Sequence, residues 1–258
     1  MNQYTVLAAF YDKLNADLDY NAIRDFIKNI LAEHSIPANA SLLDLACGTG
    51  KLTNLFAAEG YDMIGTDLSP EMLSQAQNAS MEAGVYPLYL CQDMRELDLY
   101  GTVDAAFCCL DSLNYLPEEG DLSKVFARLK HFIVPGGLFV FDVNTAYRFR
   151  SVYGTNTYVY DEDDVYCVWQ NFFDEINCTC DFDLTFFVKD NSSAGGRKNA
   201  YRRMEESQRE RFFSPEVIQK AFSQNGFSLV ASYGSLNKTS PTDTDEKCYY
   251  VVRRNENE

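Results

Sequence analysis

LLDLACGTGKL (Leu42–Leu52) sets a run of apolar residues directly against a pair of glycines, Gly48 and Gly50. Four apolar residues in a short run read as a buried strand ending near Ala46. The loop Cys47 to Gly50 then feeds a helix from about Lys51. Glycine tolerates positive φ and lets a ligand approach the backbone, and a helix N-terminus offers unpaired N–H groups. A tight strand-to-helix turn would use the same glycines, so the loop needs support from the rest of the chain.

That support comes first from the pattern around it. Apolar runs recur at 61–67, 86–91, 103–110 and 137–143. Helix-like segments lie between them at Lys51–Glu59, Pro70–Ala83 and Asp121–Ile133, after an amphipathic start at Tyr4–Leu14 and Tyr20–Glu33. Alternation of this kind predicts parallel strands with crossover helices, a doubly wound α/β sheet whose ligand site lies outside the carboxyl ends of the strands. From roughly Tyr158 to Phe213 the texture changes to strands without helices. Phe182, Leu184, Phe186 and Val188 fall on one face there, and Asp181, Asp183 and Thr185 on the other, as in an antiparallel sheet wet on one side. SPEVIQKAFSQNGF then restores a helix, and SLVASYG with EKCYYVVRR supplies two last strands. The expected organisation is therefore a main domain at 1–150 and 214–258, with an inserted antiparallel β subdomain at 151–213. That insert serves as a lid over the crevice or as a dimer contact.

Composition bounds the partners. The chain has 258 residues, 46% of them hydrophobic, with a formal net charge of −16. Such a surface repels phosphate backbones and anionic lipid, which argues against nucleic acid and membranes as partners. No apolar run reaches membrane-spanning length and the start lacks a signal-peptide pattern, so a cytoplasmic monomer or homodimer is expected. The eight cysteines read as reduced packing residues rather than a disulfide framework. Cys178 and Cys180, with His34 and His131 as the only histidines, are too few for a closed metal site, and none is expected.

Asp67 follows Gly50 by seventeen residues at the end of the next strand, where a carboxylate can accept from both hydroxyls of a ribose. Ser69 is better placed to cap the following helix. In CQDMREL, Asp93 is placed to accept from an exocyclic adenine amine, with Leu68 and Met94 on either side of the base. A dinucleotide-binding dehydrogenase would share the ribose carboxylate. Its third glycine would fall at Thr53, though, and an acidic Asp44 beside the loop would repel a pyrophosphate.

LLDLACGTGKL, IGTDLSPEML, CQDMREL, FCCLDSLNYL and FIVPGGLFVFDV, in this order over about residues 40–143, resemble the motif series of the class I S-adenosylmethionine-dependent methyltransferases. AFYDKL resembles the N-terminal helix of bacterial small-molecule members. The resemblance implies a seven-stranded, mostly parallel sheet and S-adenosyl-L-methionine as cofactor, leaving as S-adenosyl-L-homocysteine. The cofactor site it implies comprises Tyr11, Asp44, Ala46, Cys47, Gly48, Thr49, Gly50, Asp67, Leu68, Met72, Gln92, Asp93, Met94 and Leu110. Methyl transfer to N, O or S of a small polar acceptor follows, with a cofactor-binding module lacking turnover as the alternative. At the end of the fourth strand Asp111, Asn114 and Tyr115 are the catalytic candidates, Asp111 as the group that takes a proton. Asn144, Tyr147 and Arg148 after the fifth strand, with Trp169, Arg209 and Arg211 of the insert, are the candidates for substrate binding.

Overall fold

In the computed structural model, which describes residues 10–14, 17–190 and 200–256, the chain builds two sheets. The expected helix start at 4–9 lies outside the described residues. The elements are α1 (Tyr11–Leu14), α2 (Tyr20–Glu33), β1 (Ser41–Leu45), α3 (Lys51–Ala58), β2 (Asp62–Asp67), α4 (Pro70–Ala83), β3 (Leu88–Cys91), β4 (Val103–Cys108), α5 (Glu119–Phe132) and β5 (Ile133–Asn144). A wide helical turn at Arg148–Tyr153 leads into β6 (Thr157–Asp161), β7 (Val165–Asp174), β8 (Thr179–Lys189) and β9 (Tyr201–Arg211). The chain then closes with α6 (Pro215–Ser223), β10 (Phe227–Tyr233) and β11 (Lys247–Arg254).

The first sheet has seven strands in the order β10-β11-β5-β4-β1-β2-β3, parallel except for β11, which runs antiparallel to both its neighbours. Leu42, Leu43 and Leu45 of β1 are fully buried, as a central strand covered on both faces requires. Helices start where local chemistry predicts. The Ser69 side chain accepts from the Met72 N–H with Pro70 at the first helical position, and Ser214 does the same for Val217. β5 starts earlier than the expected 137, directly after α5, so VPGG lies inside the strand.

The second sheet is antiparallel, with four strands in the order β6-β7-β8-β9. Its inner face carries Val165, Cys167, Phe182, Leu184 and Phe186, all nearly inaccessible, packed on Phe149. Each such apolar side chain contributes about 1.5–3 kcal/mol on burial, so the sheet has a core of its own. Phe10 stacks on Phe186 at 6.1 Å, which lays α1 along that inner face. All eight cysteines are free thiols. No helix of the described residues is long and apolar enough to cross a membrane.

Candidate active site

A cavity of about 280 Å³ lies outside the carboxyl ends of β1 to β4, lined by Tyr11, Ala46, Gly48, Asp67, Leu68, Met72, Gln92, Asp93, Met94, Leu110 and Tyr115 among others. A smaller one of about 40 Å³ shares Tyr11, Ala46, Gly48 and Leu110 with it and adds Asp44, Cys47 and Thr49. Thirteen of the fourteen residues expected to hold a cofactor line one or the other.

The exception is Gly50. Both glycines are left-handed, Gly48 at φ 55° and Gly50 at φ 73°. A methyl group on Gly48 would meet nothing within 4 Å, whereas one on Gly50 would press on the Tyr89 ring and stand 2.8 Å from Ala76 Cβ. Gly48 is bare toward the cavity. Gly50 lines neither cavity, and its missing side chain lets α3 pack against α4 and β3.

Asp67 accepts the Gly48 N–H through Oδ2 and the Ser69 N–H through Oδ1, each at 2.8 Å, which fixes its carboxyl at the cavity edge. Burial pushes it above the usual carboxylate range against these bonds. Asp44 is buried on β1 and accepts from Thr53 Oγ1 at 2.6 Å. Burial, with Asp67 nearby, pushes its carboxyl up to about 7. Thr53 thus fills the place where a dinucleotide fold has its third glycine. Asp93 takes the Arg95 N–H and guanidinium, which hold it below its usual range, and Arg95 reaches on to Asp121 at 3.1 Å. Gln92 clamps Asp98 through both halves of its amide. Leu68 is 61% exposed, an apolar cover standing over the cavity.

A buried triad sets the far wall. Asp142 at the end of β5 accepts the N–H of Leu110 at 2.7 Å and of Asp111 at 2.9 Å, and Lys247 bridges Asp142 at 2.7 Å and Asp111 at 2.5 Å. Leu110 and Asp111 sit at φ 60° and 55°, strain held by these bonds. Burial raises Asp111, but Lys247 and Arg148 outweigh it and its carboxyl ends below the usual range. Asp111, expected from sequence to take a proton, is paired with Lys247 in the structure. Asn114 is also redirected: its Nδ2 donates to the Arg211 carbonyl at 2.8 Å and its Oδ1 accepts the Asn144 N–H at 3.0 Å, so it ties two chain segments together. Of the three catalytic candidates only Tyr115 lines the cavity, and its hydroxyl donates to Gln208 Oε1 at 3.1 Å.

The six substrate candidates line neither cavity. Asn144 is buried, donating to Glu210 Oε2 at 2.8 Å and the Tyr153 hydroxyl at 3.2 Å. Arg148 lies over the Tyr153 ring at 5.0 Å and pairs with Glu246 at 2.5 Å. Tyr147 is half-buried in the same turn, and Trp169 packs edge-on to Phe182 at 5.8 Å on the inner face of the second sheet. Arg209 and Arg211 are corrected: both alternate away from that face. Arg209 pairs with Asp181 in solvent, and Arg211 donates to the carbonyls of Pro117 at 2.8 Å and Asn177 at 3.1 Å. The inward residues of β9 are Glu206, Gln208 and Glu210, all at most 8% exposed and none of them expected. The register Phe182↔Gln208 with β8 sets their face, on which Met204 is the apolar residue packed against the second sheet's core.

A family model for a methyltransferase domain matches residues 42–137. YqeM of Bacillus subtilis (strain 168), which carries a methyltransferase name, is 31% identical over 252 residues, 97% of each chain. A solved S-adenosylmethionine-dependent methyltransferase from Clostridium acetobutylicum ATCC 824 is 32% identical with a TM-score of 0.86, covering 98% of this chain and 99% of that one. CalS10, an amino pentose methyltransferase from Micromonospora echinaspora solved with S-adenosylmethionine bound, shares the fold at a TM-score of 0.72 and 21% identity over 98% of this chain and 99% of that one.

Proposed function

This chain belongs to the class I S-adenosylmethionine-dependent methyltransferases, and from that premise we propose that it methylates N, O or S of a small polar metabolite by in-line displacement. In this reading residues 1–150 and 214–258 hold the cofactor and 151–213 roof the acceptor. The observation that carries it is a single cavity running from Gly48 and Asp67 to Tyr115, whose hydroxyl is bonded to the second sheet.

The residues fit the cofactor. Asp67 has both oxygens oriented by backbone donors and lone pairs left for two ribose hydroxyls. Leu68, Met72 and Met94 offer apolar surface for a base, Asp93 accepts from its amine, and the open space at Gly48 admits an amino-acid moiety. Asp44, driven up by burial, regains its charge beside a cationic amino group. When bound, the cofactor supplies a methyl group already activated on a sulfonium. The chain's own work is alignment and exclusion of water, worth on the order of 7–11 kcal/mol for well-placed pairs. Tyr115 stands on the acceptor side, and the second sheet closes that side.

Calorimetric titration with S-adenosylhomocysteine tests the cofactor half. Asp67→Ala is expected to weaken binding by about 1.5–3 kcal/mol, the range for hydrogen bonds to a charged acceptor. Unchanged affinity would overturn the ribose assignment.

A further inference from the structure

Asp93 enters the cavity wall already held by a neighbour. It precedes a short helical turn, Met94–Glu96, and Arg95 of that turn claims most of its carboxylate. Oδ1 accepts the Arg95 backbone N–H at 2.8 Å, Oδ2 accepts Arg95 Nη2 at 2.5 Å, and Arg95 Nε is shared between the two oxygens at 3.0 and 3.1 Å. A carboxylate has about four acceptor positions, and three N–H groups fill three of them. Asp93 and Arg95 both line the cavity, and the Asp93 side chain keeps 19% of its exposure, so one acceptor position is left to face a ligand.

Arg95 is itself anchored from behind. Its third arm, Nη1, donates to Asp121 Oδ2 at 3.1 Å, and Asp121 lies on α5 with a side chain only 1% exposed. Lys124 meets the other oxygen of Asp121 at 2.6 Å. One cation already balances that carboxylate, so the Arg95 contact does more than neutralise it: it fixes where the guanidinium stands. α5 grips the same loop a second time through Arg128, whose Nε donates to the Leu97 carbonyl at 2.7 Å. Gln92 closes the loop onto Asp98 from the other end. The fork from Arg95 gives the Asp93 carboxylate one orientation, and it keeps the group ionised by drawing it below its usual range.

Resting on the methyltransferase reading, in which the cofactor's base lies beside Leu68 and Met94, we propose that Arg95 and Asp121 are positioning residues for base selectivity. Anchored on α5, Arg95 occupies Asp93 until a single acceptor faces the cavity, and that acceptor takes a base bearing an exocyclic amine and rejects one with a carbonyl in its place. An amine presents an N–H to the remaining lone pair. A carbonyl oxygen presents a second lone pair to it, and Asp93 cannot turn aside because its other positions are committed. The selectivity is therefore set from α5, a helix that does not itself carry Asp93.

The test compares S-adenosylhomocysteine with S-inosylhomocysteine, in which a carbonyl replaces the exocyclic amine of the base. Wild-type protein titrated calorimetrically is expected to bind the amine form at least about tenfold tighter, as a hydrogen bond to a charged acceptor implies. Arg95→Lys keeps the charge but loses the planar fork, and Asp121→Asn keeps the shape of the anchor but loses its charge. Made separately in case one fails to fold, each should bring the ratio of the two affinities to within about threefold of unity. Residues that only stiffened the fold would weaken both ligands alike, so a ratio unchanged in either folded variant would overturn the proposal and leave the cofactor site standing. Equal wild-type affinities for the two ligands would overturn it in the same way. Failure of S-adenosylhomocysteine itself to bind would overturn the cofactor reading and the positioning role together.

Discussion

Gly48 and Gly50 share a conformation and differ in what surrounds them, and that separates two expected phenotypes. Any side chain at either position carries a positive-φ cost of about 1 kcal/mol. Gly50→Ala adds overpacking against Tyr89 and Ala76, typically about 1–3 kcal/mol, and should show as a clear fall in melting temperature. Gly48→Ala has open space and should melt close to wild type while losing S-adenosylhomocysteine affinity in calorimetry. The reverse pattern would mean that the loop roles are misassigned. The sequence made the glycine pair visible, but it could not tell one glycine from the other, because the atoms that crowd Gly50 come from Tyr89 on β3. Asp44 gives a pH signature. Its folded value of about 7 lies above the ordinary 3.8, so its contribution to apo stability is full below 3.8 and is lost as pH rises through about 7. A ligand ammonium reverses that penalty by stabilising the ionised form. S-adenosylhomocysteine affinity should therefore tighten as pH rises toward about 7, by up to tenfold per unit, and level off above it, and Asp44→Asn should flatten the profile.

At the scale of elements, β8 and β9 show when a strand's face can be read. β8 alternates Phe182, Leu184 and Phe186 with Asp181 and Asp183, and its buried side follows from hydrophobicity alone. In β9 both faces are largely polar, so hydrophobicity does not separate the arginines from Glu206, Gln208 and Glu210. Register with β8 separates them. The elements on the cofactor side are legible because their strands are apolar, because a glycine loop leads into α3 and because Ser69 and Pro70 start α4. The acceptor side depends on contacts between residues a hundred positions apart. The consequence is measurable at the seam where β9 meets the main sheet. Arg209→Ala removes one exposed pair with Asp181 and should change stability by less than about 1 kcal/mol in urea denaturation. Asn114→Ala orphans the Arg211 carbonyl and the Asn144 N–H in a buried site, and about 1–3 kcal/mol for each such group is expected. Comparable losses for the two variants would mean that the seam is not where the second sheet is held.

The whole molecule carries a net charge of −16 and, in the reading above, binds a ligand with two positive groups and one carboxylate, releasing a product that has lost one of those positive charges. The field therefore acts differently on the two. A chain of this length has a radius of gyration of about 18 Å. At an ionic strength of about 0.01 M the screening length is about 30 Å, so the charge of the entire surface is felt at the cavity mouth. At about 0.15 M the length is about 8 Å, and only nearby acids contribute. Electrostatic steering raises association rates of oppositely charged partners tenfold or more at low salt. Association of S-adenosylmethionine, followed by stopped-flow fluorescence of Trp169 and the tyrosines, should therefore slow by about threefold or more across that range. Association of S-adenosylhomocysteine, which is zwitterionic overall, should stay nearly constant. Dissociation rates should move little for both, because short-range contacts at Asp67 and Gly48 set them rather than the distant field. A salt dependence shared equally by the two ligands would show that the net charge serves solubility and has no part in ligand capture. A dependence confined to S-adenosylmethionine would tie the acidic composition to turnover, since the same field that draws the donor in favours its neutral product no longer.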